Sequence, residues 1–219
     1  NFLNNPQRFV SKNTKVEVNP EKAAQVLEAA GWKKGADGIR EKGGKKLKLV
    51  FQTSINGPRQ KTQQIIKQAA QKAGIDMELK AVPASVYFSS DPANPDTYTK
   101  LFVDMQMFTT TMPQPDPEVF MNQYLSDQFA TKANKWLGRN STRYSNPEYD
   151  KAYLAAQSEM DPVKRAALFV RMNDMPVNDI VIIPVVYRPR TSAAVNNLVA
   201  PLSGWDNDLW LLKDWYKNT

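Results

Sequence analysis

Apolar residues recur at helical spacing in several stretches of the chain, and most of these stretches begin at a proline that follows a capping residue. Asn19, Asn146 and Asp161 each stand directly before a proline, which is the arrangement of an N-cap followed by the first helical position. The pattern therefore predicts helices over residues 20–30, 58–73, 118–125, 147–158 and 162–174.

Elsewhere the apolar residues alternate with polar ones, which is typical of strands. Asp37-Gly38 and Gly43-Gly44 predict the turns of a short hairpin whose second strand covers residues 47–51. A strand over 75–81 follows the helix at 58–73, and this order predicts a βαβ unit with parallel strands. Two further apolar runs predict strands over 101–108 and 180–187, the second of them buried. The fold class is therefore α/β, a mixed sheet flanked by helices.

Hydroxyl side chains follow one of these strands. Thr109, Thr110 and Thr111 come directly after the strand at 101–108, which also carries Gln106. Ligands of open α/β sheets bind at the carboxyl ends of strands, so these side chains are candidates for polar contacts with a ligand. Strand propensity alone is the other explanation for three consecutive threonines.

The composition excludes several kinds of chemistry. The 219 residues contain no His and no Cys, so thiol nucleophiles, disulfides, imidazole bases and the usual zinc ligands are all absent. Asp104 and Asp116 are the carboxylates that could be considered as a glycosidase pair, but nothing in the sequence places them at the required separation. We therefore favour a protein that is not an enzyme, with no cofactor and no metal.

The positive charge is concentrated in the first part of the chain. The net charge is +7, and residues 1–80 hold 16 Lys and Arg against 7 Asp and Glu, whereas the remainder is close to neutral. This pattern is compatible with a nucleic-acid-binding surface or with an ordinary solvated one. We favour the second interpretation because aromatic residues are not interleaved with the lysines.

An ordered series of short segments resembles the family 5 extracellular solute-binding proteins, which are the dipeptide- and oligopeptide-binding components of ABC importers. The resemblance begins at Pro20-Glu21-Lys22-Ala23 and Ala30-Gly31-Trp32 and runs to about Tyr187. It includes the segments Asp37-Gly38-Ile39-Arg40, Ala73-Gly74-Ile75-Asp76, Asp116-Pro117-Glu118, Tyr144-Ser145-Asn146-Pro147-Glu148-Tyr149-Asp150 and Ile183-Pro184.

The resemblance implies a periplasmic-binding-protein-like (type II) lobe that is the C-terminal part of a longer, two-lobed protein. Residues 1–19 would form an irregular lead-in between the lobes, 20–188 the C-terminal lobe, and 189–219 a tail returning to the first lobe. Trp205, Trp210 and Trp215 would then pack on that lobe. The implied protein is a periplasmic or extracellular, membrane-associated monomer that delivers a small polar solute to a membrane permease and binds no nucleic acid.

The same resemblance places the solute in a cleft between the lobes. We expect polar contacts from Gln106, Thr109, Thr110 and Thr111. We expect aromatic walls from Tyr87, Phe88, Tyr144 and Trp205.

One departure from the family pattern concerns peptides. Peptide binders of the family carry a Trp followed three residues later by an Asp that pairs with the ammonium group of the peptide. Counted back from Asp116-Pro117, these positions hold Thr110 and Pro113. Because a buried ammonium without a counter-charge is costly, we expect no preference for peptides with a free N-terminus. The implied solutes are a modified peptide, an opine or a similar molecule.

Overall fold

A computed structural model describes residues 1–189, 191–202, 204–205 and 211–218. The chain divides into two compact units. We call residues 15–110 and 129–143 the sheet unit, and residues 1–14, 111–128 and 144–219 the helical unit. The helices are α1 Pro20–Ala29, α2 Gly57–Ala73, α3 Ala84–Tyr87, α4 Glu118–Met121, α5 Pro147–Ser158 and α6 Pro162–Asn178. The strands are β1 Lys33–Lys34, β2 Arg40–Lys42, β3 Lys45–Lys46, β4 Lys48–Ser54, β5 Asp76–Val82, β6 Met105–Met107, β7 Leu198–Val199 and β8 Tyr216–Lys217.

A three-stranded parallel sheet forms the centre of the sheet unit. Its order is β5-β4-β6, and β4 is paired in parallel with both neighbours. Helix α2 connects β4 to β5, which confirms the predicted βαβ unit. Gln63 of α2 is buried, and its side-chain amide donates to the carbonyl of Phe51 in β4 at 2.7 Å. This bond fixes the helix against the sheet.

Helix α2 is capped at both ends by residues next to it in the sequence. The side chain of Asn56 accepts from the backbone N–H of Arg59 at 3.3 Å, and Pro58 occupies the first turn. The helix ends at Gly74, whose φ of 87° lies in the left-handed region that glycine adopts at low cost.

The predicted hairpin has different strand bounds. Strands β1, β2 and β3 form a separate antiparallel sheet, and the partner of β2 is Lys45–Lys46. The prediction of residues 47–51 as the second hairpin strand is therefore wrong, because β4 begins at Lys48 and joins the parallel sheet instead. The apolar side of β4, with Phe51 only 2% exposed, is buried in that sheet, whereas the residues of β3 are exposed. Burial thus decides which strand pairs where.

Strand β6 is much shorter than its apolar run. The predicted strand covered 101–108, but pairing is limited to Met105–Met107. Leu101 has a φ of 43°, which ends any extended conformation before Phe102. The carboxylate of Asp104 accepts from the backbone N–H of Val50 at 2.7 Å. This side chain therefore takes the place of the next backbone hydrogen bond between β6 and β4.

The helical unit is built on α5 and α6. Both helices begin at the predicted caps: Asn146 accepts from the backbone N–H of Glu148, and Asp161 accepts from that of Val163. Helix α5 has the predicted bounds, and α6 continues to Asn178, beyond its predicted end at residue 174. The predicted helix at 118–125 is α4 followed by a 3-10 turn, Asn122–Tyr124. The buried core of this unit consists of Leu3, Phe9, Phe120, Met121, Tyr124, Tyr144, Tyr149, Ala152, Tyr153, Ala156, Ala166, Phe169 and Met172.

The predicted buried strand at 180–187 is absent. This segment contains no strand, and Ile180 and Val186 are 72% and 76% exposed. Val181 and Ile182 pack against the helical core, and the backbone N–H of Val181 donates to the carbonyl of Pro176 in α6. An apolar, β-branched run forms a strand only where a partner strand is present, and no described residue pairs with this one.

In the described part of the tail beyond residue 188, β7 pairs with β8 in antiparallel orientation. The indole N–H of Trp215 donates to the carbonyl of Pro201 at 3.1 Å, and Trp205 is half-buried. Trp210 lies outside the described residues. The division into a lead-in, a lobe of residues 20–188 and a returning tail stays a prediction.

Candidate functional site

The carboxyl edge of the parallel sheet gathers several of the expected side chains. Strand β4 ends at Ser54 and β6 at Met107, and both strands run in the same direction, so the following residues emerge at one edge. Helix α2 begins three residues after Ser54 and returns its first turn toward this edge. Thr109 follows β6 and is exposed. The edge therefore combines a strand end, a loop hydroxyl and the first turn of a helix.

Arg59 connects these elements. One guanidinium nitrogen donates to the hydroxyl of Ser54, which is 1% exposed, and another donates to the hydroxyl of Thr109 at 3.4 Å. The guanidinium carbon lies 5.7 Å from the centroid of the Phe88 ring. Among the residues that the structure describes, no carboxylate lies within ion-pair distance of Arg59. The edge thus carries a half-buried positive charge bonded only to neutral groups.

A cluster of aromatic side chains lies next to the edge. The rings of Tyr87 and Phe88 are 5.0 Å apart, those of Phe88 and Tyr98 5.8 Å, and those of Tyr98 and Phe108 5.0 Å. The hydroxyl of Tyr87 donates to the carbonyl of Met107 at 3.4 Å. Burial raises the pKa of Tyr87 above its usual value, so this phenol stays neutral. Phe88 is 44% exposed and forms the accessible face of the cluster.

The expected residues of the sheet unit divide into two groups. Thr109 and Phe88 lie together around Arg59, and Thr110 is exposed beside them in sequence. Tyr87 is fully buried, so it supports Phe88 from within the core and presents no accessible wall. The side chain of Gln106 points toward the hydroxyl of Ser141, 3.5 Å away, rather than toward the edge. Its amide oxygen is buried and has no hydrogen-bond partner among the described residues.

Thr111, Tyr144 and Trp205 belong to the helical unit. Thr111 is exposed and Trp205 is half-buried. Tyr144 is a core residue: its hydroxyl donates to Asp179 at 2.6 Å, and its ring lies 6.0 Å from that of Tyr149. Burial, together with the hydrogen bond to Asp179, raises the pKa of Tyr144 to about 12. These partners of the Tyr144 side chain, Asp179 and Tyr149, both belong to the helical unit.

Arg59 and Ser54 are the site residues that sequence reasoning missed. The available signal was the sequence Asn56-Gly57-Pro58-Arg59 directly after the strand. A capped helix that begins there brings its first-turn side chains back over the strand end.

The two carboxylates considered for glycosidase chemistry have structural partners. Asp104 accepts from a backbone N–H within the sheet unit, and Asp116 receives two hydrogen bonds from Arg165 within the helical unit. Burial alone would raise the pKa of Asp116, but the hydrogen bonds from Arg165 and from the backbone N–H of Glu118 lower it below its usual value. A carboxylate with a lowered pKa is a poor general acid.

The described residues lack two further kinds of feature. They include no group of acidic residues arranged to hold a metal ion. They also include no helix that is both long enough and apolar enough to cross a membrane.

Comparison with known proteins gives consistent matches. In sequence, the chain is 31% identical over 149 residues to the oligopeptide-binding protein AppA of Bacillus subtilis (strain 168). The aligned residues cover 67% of this chain and 25% of AppA. The chain thus spans about a quarter of the length of this curated relative. In structure, it matches NikZ from Campylobacter jejuni, solved in complex with Ni(L-His), with a TM-score of 0.73 and 25% identity over 95% of this chain and 41% of NikZ.

A second structure, AppA from Bacillus subtilis in complex with a nonapeptide, matches with a TM-score of 0.66 over 96% of this chain and 40% of AppA. Its 23% identity shows a shared fold. These similarities confirm the predicted α/β, periplasmic-binding-protein-like architecture. Residues 3–132, more than half of the chain, match the family described as "Bacterial extracellular solute-binding proteins, family 5 Middle". The chain therefore belongs to the family 5 bacterial extracellular solute-binding proteins.

Proposed function

We propose that this chain is part of the substrate-binding component of an ABC importer of the peptide, opine or nickel type. The intact protein captures a small polar solute in a cleft between two lobes and delivers it to a membrane permease. It acts without catalysing a reaction, in the periplasm or at the outer surface of the membrane. Membership of the family supports this proposal at the level of solute binding.

The observation that carries the proposal is the composition of the carboxyl edge. Ser54, Arg59 and Thr109 provide donors and acceptors next to the exposed ring of Phe88, at the position where open α/β sheets bind ligands. No nucleophile with an adjacent base is present among these side chains, so the edge is suited to holding a solute and not to transforming it. Thr110 and Thr111, which follow in the same loop, are proposed as further polar contacts. Gln106, Tyr144 and Trp205 also remain proposed contacts.

Native mass spectrometry detects a captured solute whatever its chemical identity. The intact protein, purified from its own host, is expected to carry one bound small molecule that is released on denaturation. Arg59→Gln should reduce the bound fraction, whereas Arg139→Gln, at an exposed position in the same unit, should leave it unchanged. Solute-free protein from a host with an active importer would contradict the proposal.

The positions of Thr110 and Pro113 lead to a second expectation about the solute. Because neither side chain supplies a carboxylate for an ammonium group, trialanine is expected to bind the intact protein no more tightly than N-acetyl-trialanine. Isothermal titration of the two peptides measures this difference. Tight binding that depends on the free amino group would show that another carboxylate of the intact protein replaces the missing Asp.

A further inference from the structure

A basic and partly apolar loop, residues 129–143, forms one surface of the sheet unit. We propose that this loop, which we call the basic loop, docks the protein on a membrane surface that contains anionic phospholipids. The inference goes beyond the proposed function, because it concerns attachment to a bilayer and makes no assumption about the solute.

The first argument is the charge of the basic loop. It contains Lys132, Lys135, Arg139 and Arg143 and no Asp or Glu, which gives it a net charge of +4. The side chains of the first three are exposed, and none of the four forms an ion pair within the described part of the chain. Anionic headgroups supply the missing counter-charge, because a negatively charged membrane surface attracts Lys and Arg side chains.

The second argument is that large apolar side chains are exposed beside these cations. Leu137 is 67% exposed, and Phe102, whose ring lies 5.3 Å from that of Trp136, is 61% exposed. Leucine and aromatic side chains next to Lys and Arg are typical of segments that lie in a bilayer interface, where the apolar groups enter the headgroup region. A partner that offered only negative charge would leave these apolar groups in water. The combination therefore favours a lipid surface over an acidic protein.

The third argument is that hydrogen bonds hold the loop in one conformation. The side-chain oxygen of Asn134 accepts from the backbone N–H of Thr131 at 2.9 Å, and its side-chain amide donates to the carbonyl of Phe129 at 2.7 Å. The backbone N–H of Ala130 donates to the carbonyl of Asn140 at 3.1 Å, which closes the loop at its base. A loop that is already ordered loses less conformational freedom when it binds a surface.

Two cations flank the ring of Trp136. The ammonium nitrogen of Lys100 lies 5.5 Å from the ring centroid, and the guanidinium carbon of Arg143 lies 5.6 Å from it. Lys100 is only 4% exposed and donates to the carbonyl of Pro92, and Arg143 donates to the carbonyl of Lys100. Because both acceptors are neutral, these cations add to the positive potential around the loop.

The lysine-rich hairpin of the same unit provides a matched comparison. Lys34, Lys42 and Lys45 are exposed, but within residues 33–46, all of which the structure describes, no large hydrophobic side chain is exposed. The hairpin thus carries charge without an apolar component. Lys34→Gln/Lys42→Gln/Lys45→Gln, the hairpin variant, therefore removes positive charge alone.

Vesicle binding of the intact protein tests the inference. Vesicles of phosphatidylcholine alone are compared with vesicles of equal parts phosphatidylcholine and phosphatidylglycerol by co-sedimentation. An anchor elsewhere on the intact protein would bind both kinds of vesicle alike, so the difference between them reports the attraction of charge. We expect binding to the anionic vesicles to be about a hundredfold tighter, at about fivefold for each exposed cation of the loop. Added salt should reduce this preference.

Variants locate the attachment on the protein. Lys132→Gln/Lys135→Gln/Arg139→Gln, the loop variant, should remove most of the preference for anionic vesicles. The hairpin variant loses the same number of charges but should reduce the preference by less than about fivefold, because its lysines lie away from the docked surface. Leu137→Gln keeps the charge and should weaken binding to the anionic vesicles by about fivefold, since it removes an apolar side chain from the interface.

Three outcomes would overturn the inference. One is equal binding of the intact protein to both kinds of vesicle. Another is an equal loss in the loop and hairpin variants, which would indicate a general attraction of the basic unit. The third is weak vesicle binding together with impaired association of the loop variant with the permease, which would assign the loop to an acidic protein surface. In each case the loop variant should still carry its solute, so the proposed function would stand.

Discussion

Backbone strain at single residues is concentrated in the loop of residues 129–143. Five residues other than glycine have positive φ in the described chain, and three of them, Lys135, Trp136 and Arg143, lie in this loop. The backbone N–H of Trp136 donates to the carbonyl of Thr131, and its ring contacts Phe102 at 5.3 Å. These contacts hold Trp136 in a conformation that it would otherwise avoid.

Lys135 has the same kind of strain; its backbone N–H donates to the carbonyl of Lys132 at 3.1 Å, but its side chain makes no ring contact like that of Trp136 among the described residues. Its φ is 54° and its side chain is exposed. Lys135→Gly is therefore expected to stabilise the protein by about 1 kcal/mol, because glycine adopts this conformation at no steric cost. Urea unfolding measures the change. Lys132→Gly, in the same loop at a residue without positive φ, should be neutral or destabilising; equal stabilisation by both variants would contradict the explanation.

The ion pair of Asp116 with Arg165 leads to a prediction about pH. The pKa of Asp116 is lowered in the folded protein, so its contribution to stability is complete above the pKa of the unfolded chain, near 4. That contribution is lost as the pH falls through the folded value. Asp116→Asn is therefore expected to cost about 1 kcal/mol at neutral pH and progressively less below pH 4.

Unfolding experiments at pH 7 and at pH 3 measure this difference. Asp127→Asn is the matched control because Asp127 is an exposed residue of the same unit. If the loss of unfolding free energy in Asp116→Asn is the same at both pH values, the ion pair is excluded as its cause.

At the residue scale, the sequence predicted only part of the candidate site. Thr109 lies at the strand edge, because a hydroxyl directly after a strand reaches that edge, whereas its role and that of Phe88 as ligand contacts stay predictions. Arg59 was missed because its role depends on contacts with Ser54 and Phe88, which are distant from one another in the sequence. Tyr87 and Phe88 are adjacent, yet one is buried and the other is accessible, and no local pattern distinguishes them.

At the scale of elements, the ends of α2 allow a matched comparison of two glycines. A Cβ at Gly74 would lie 2.8 Å from Cγ of Arg40, and the φ of 87° disfavours any other residue. Gly74→Ala should therefore destabilise the protein by about 2 kcal/mol. At Gly57, a Cβ would meet no atom within 4 Å, so Gly57→Ala should change the stability by less than about 0.5 kcal/mol. Thermal unfolding of the two variants measures both effects, and equal losses would contradict this account.

Helices were predictable and strands less so, for a physical reason. The helices α1, α2, α5 and α6 begin at caps formed by neighbouring residues, so the sequence contains the whole signal. A strand depends on a partner that is distant in the chain. The runs at 101–108 and 180–187 are both rich in apolar residues and both predict strands. Only three residues of the first run pair with another strand, and none of the second run does.

At the scale of the whole molecule, the helical unit is assembled from distant segments. Asn173 of α6 is fully buried, and its side-chain oxygen accepts from the backbone N–H groups of Phe2 and Leu3 at 3.1 and 3.0 Å. Its side-chain amide donates to Asn1 at 2.9 Å. Leu3 and Phe9 enter the core of the unit, although the first residues were expected to be an irregular lead-in.

Asn173→Ala is therefore expected to destabilise the helical unit by about 3 kcal/mol, because two buried N–H groups would lose their acceptor. Asn178→Ala provides the control, since Asn178 lies on the same helix but is exposed. Urea unfolding measures both variants. A loss below about 1 kcal/mol for Asn173→Ala would mean that water or a rearranged N-terminal segment replaces the bonds.

The exposed stretch after α6 has a consequence for solubility. Ile183, Val185, Val186 and Tyr187 are each more than half exposed and follow one another closely. Unpaired, β-branched stretches of this kind promote self-association, although Pro184 limits the addition of further strands. The apparent molar mass of the 219-residue chain, measured by light scattering, should therefore rise with concentration. Val186→Lys should suppress this rise, whereas Val163→Lys, on α6, should have little effect. If both lysines suppress self-association equally, general charge repulsion is responsible. If only Val186→Lys does so, these few exposed residues determine whether the chain self-associates in concentrated solution.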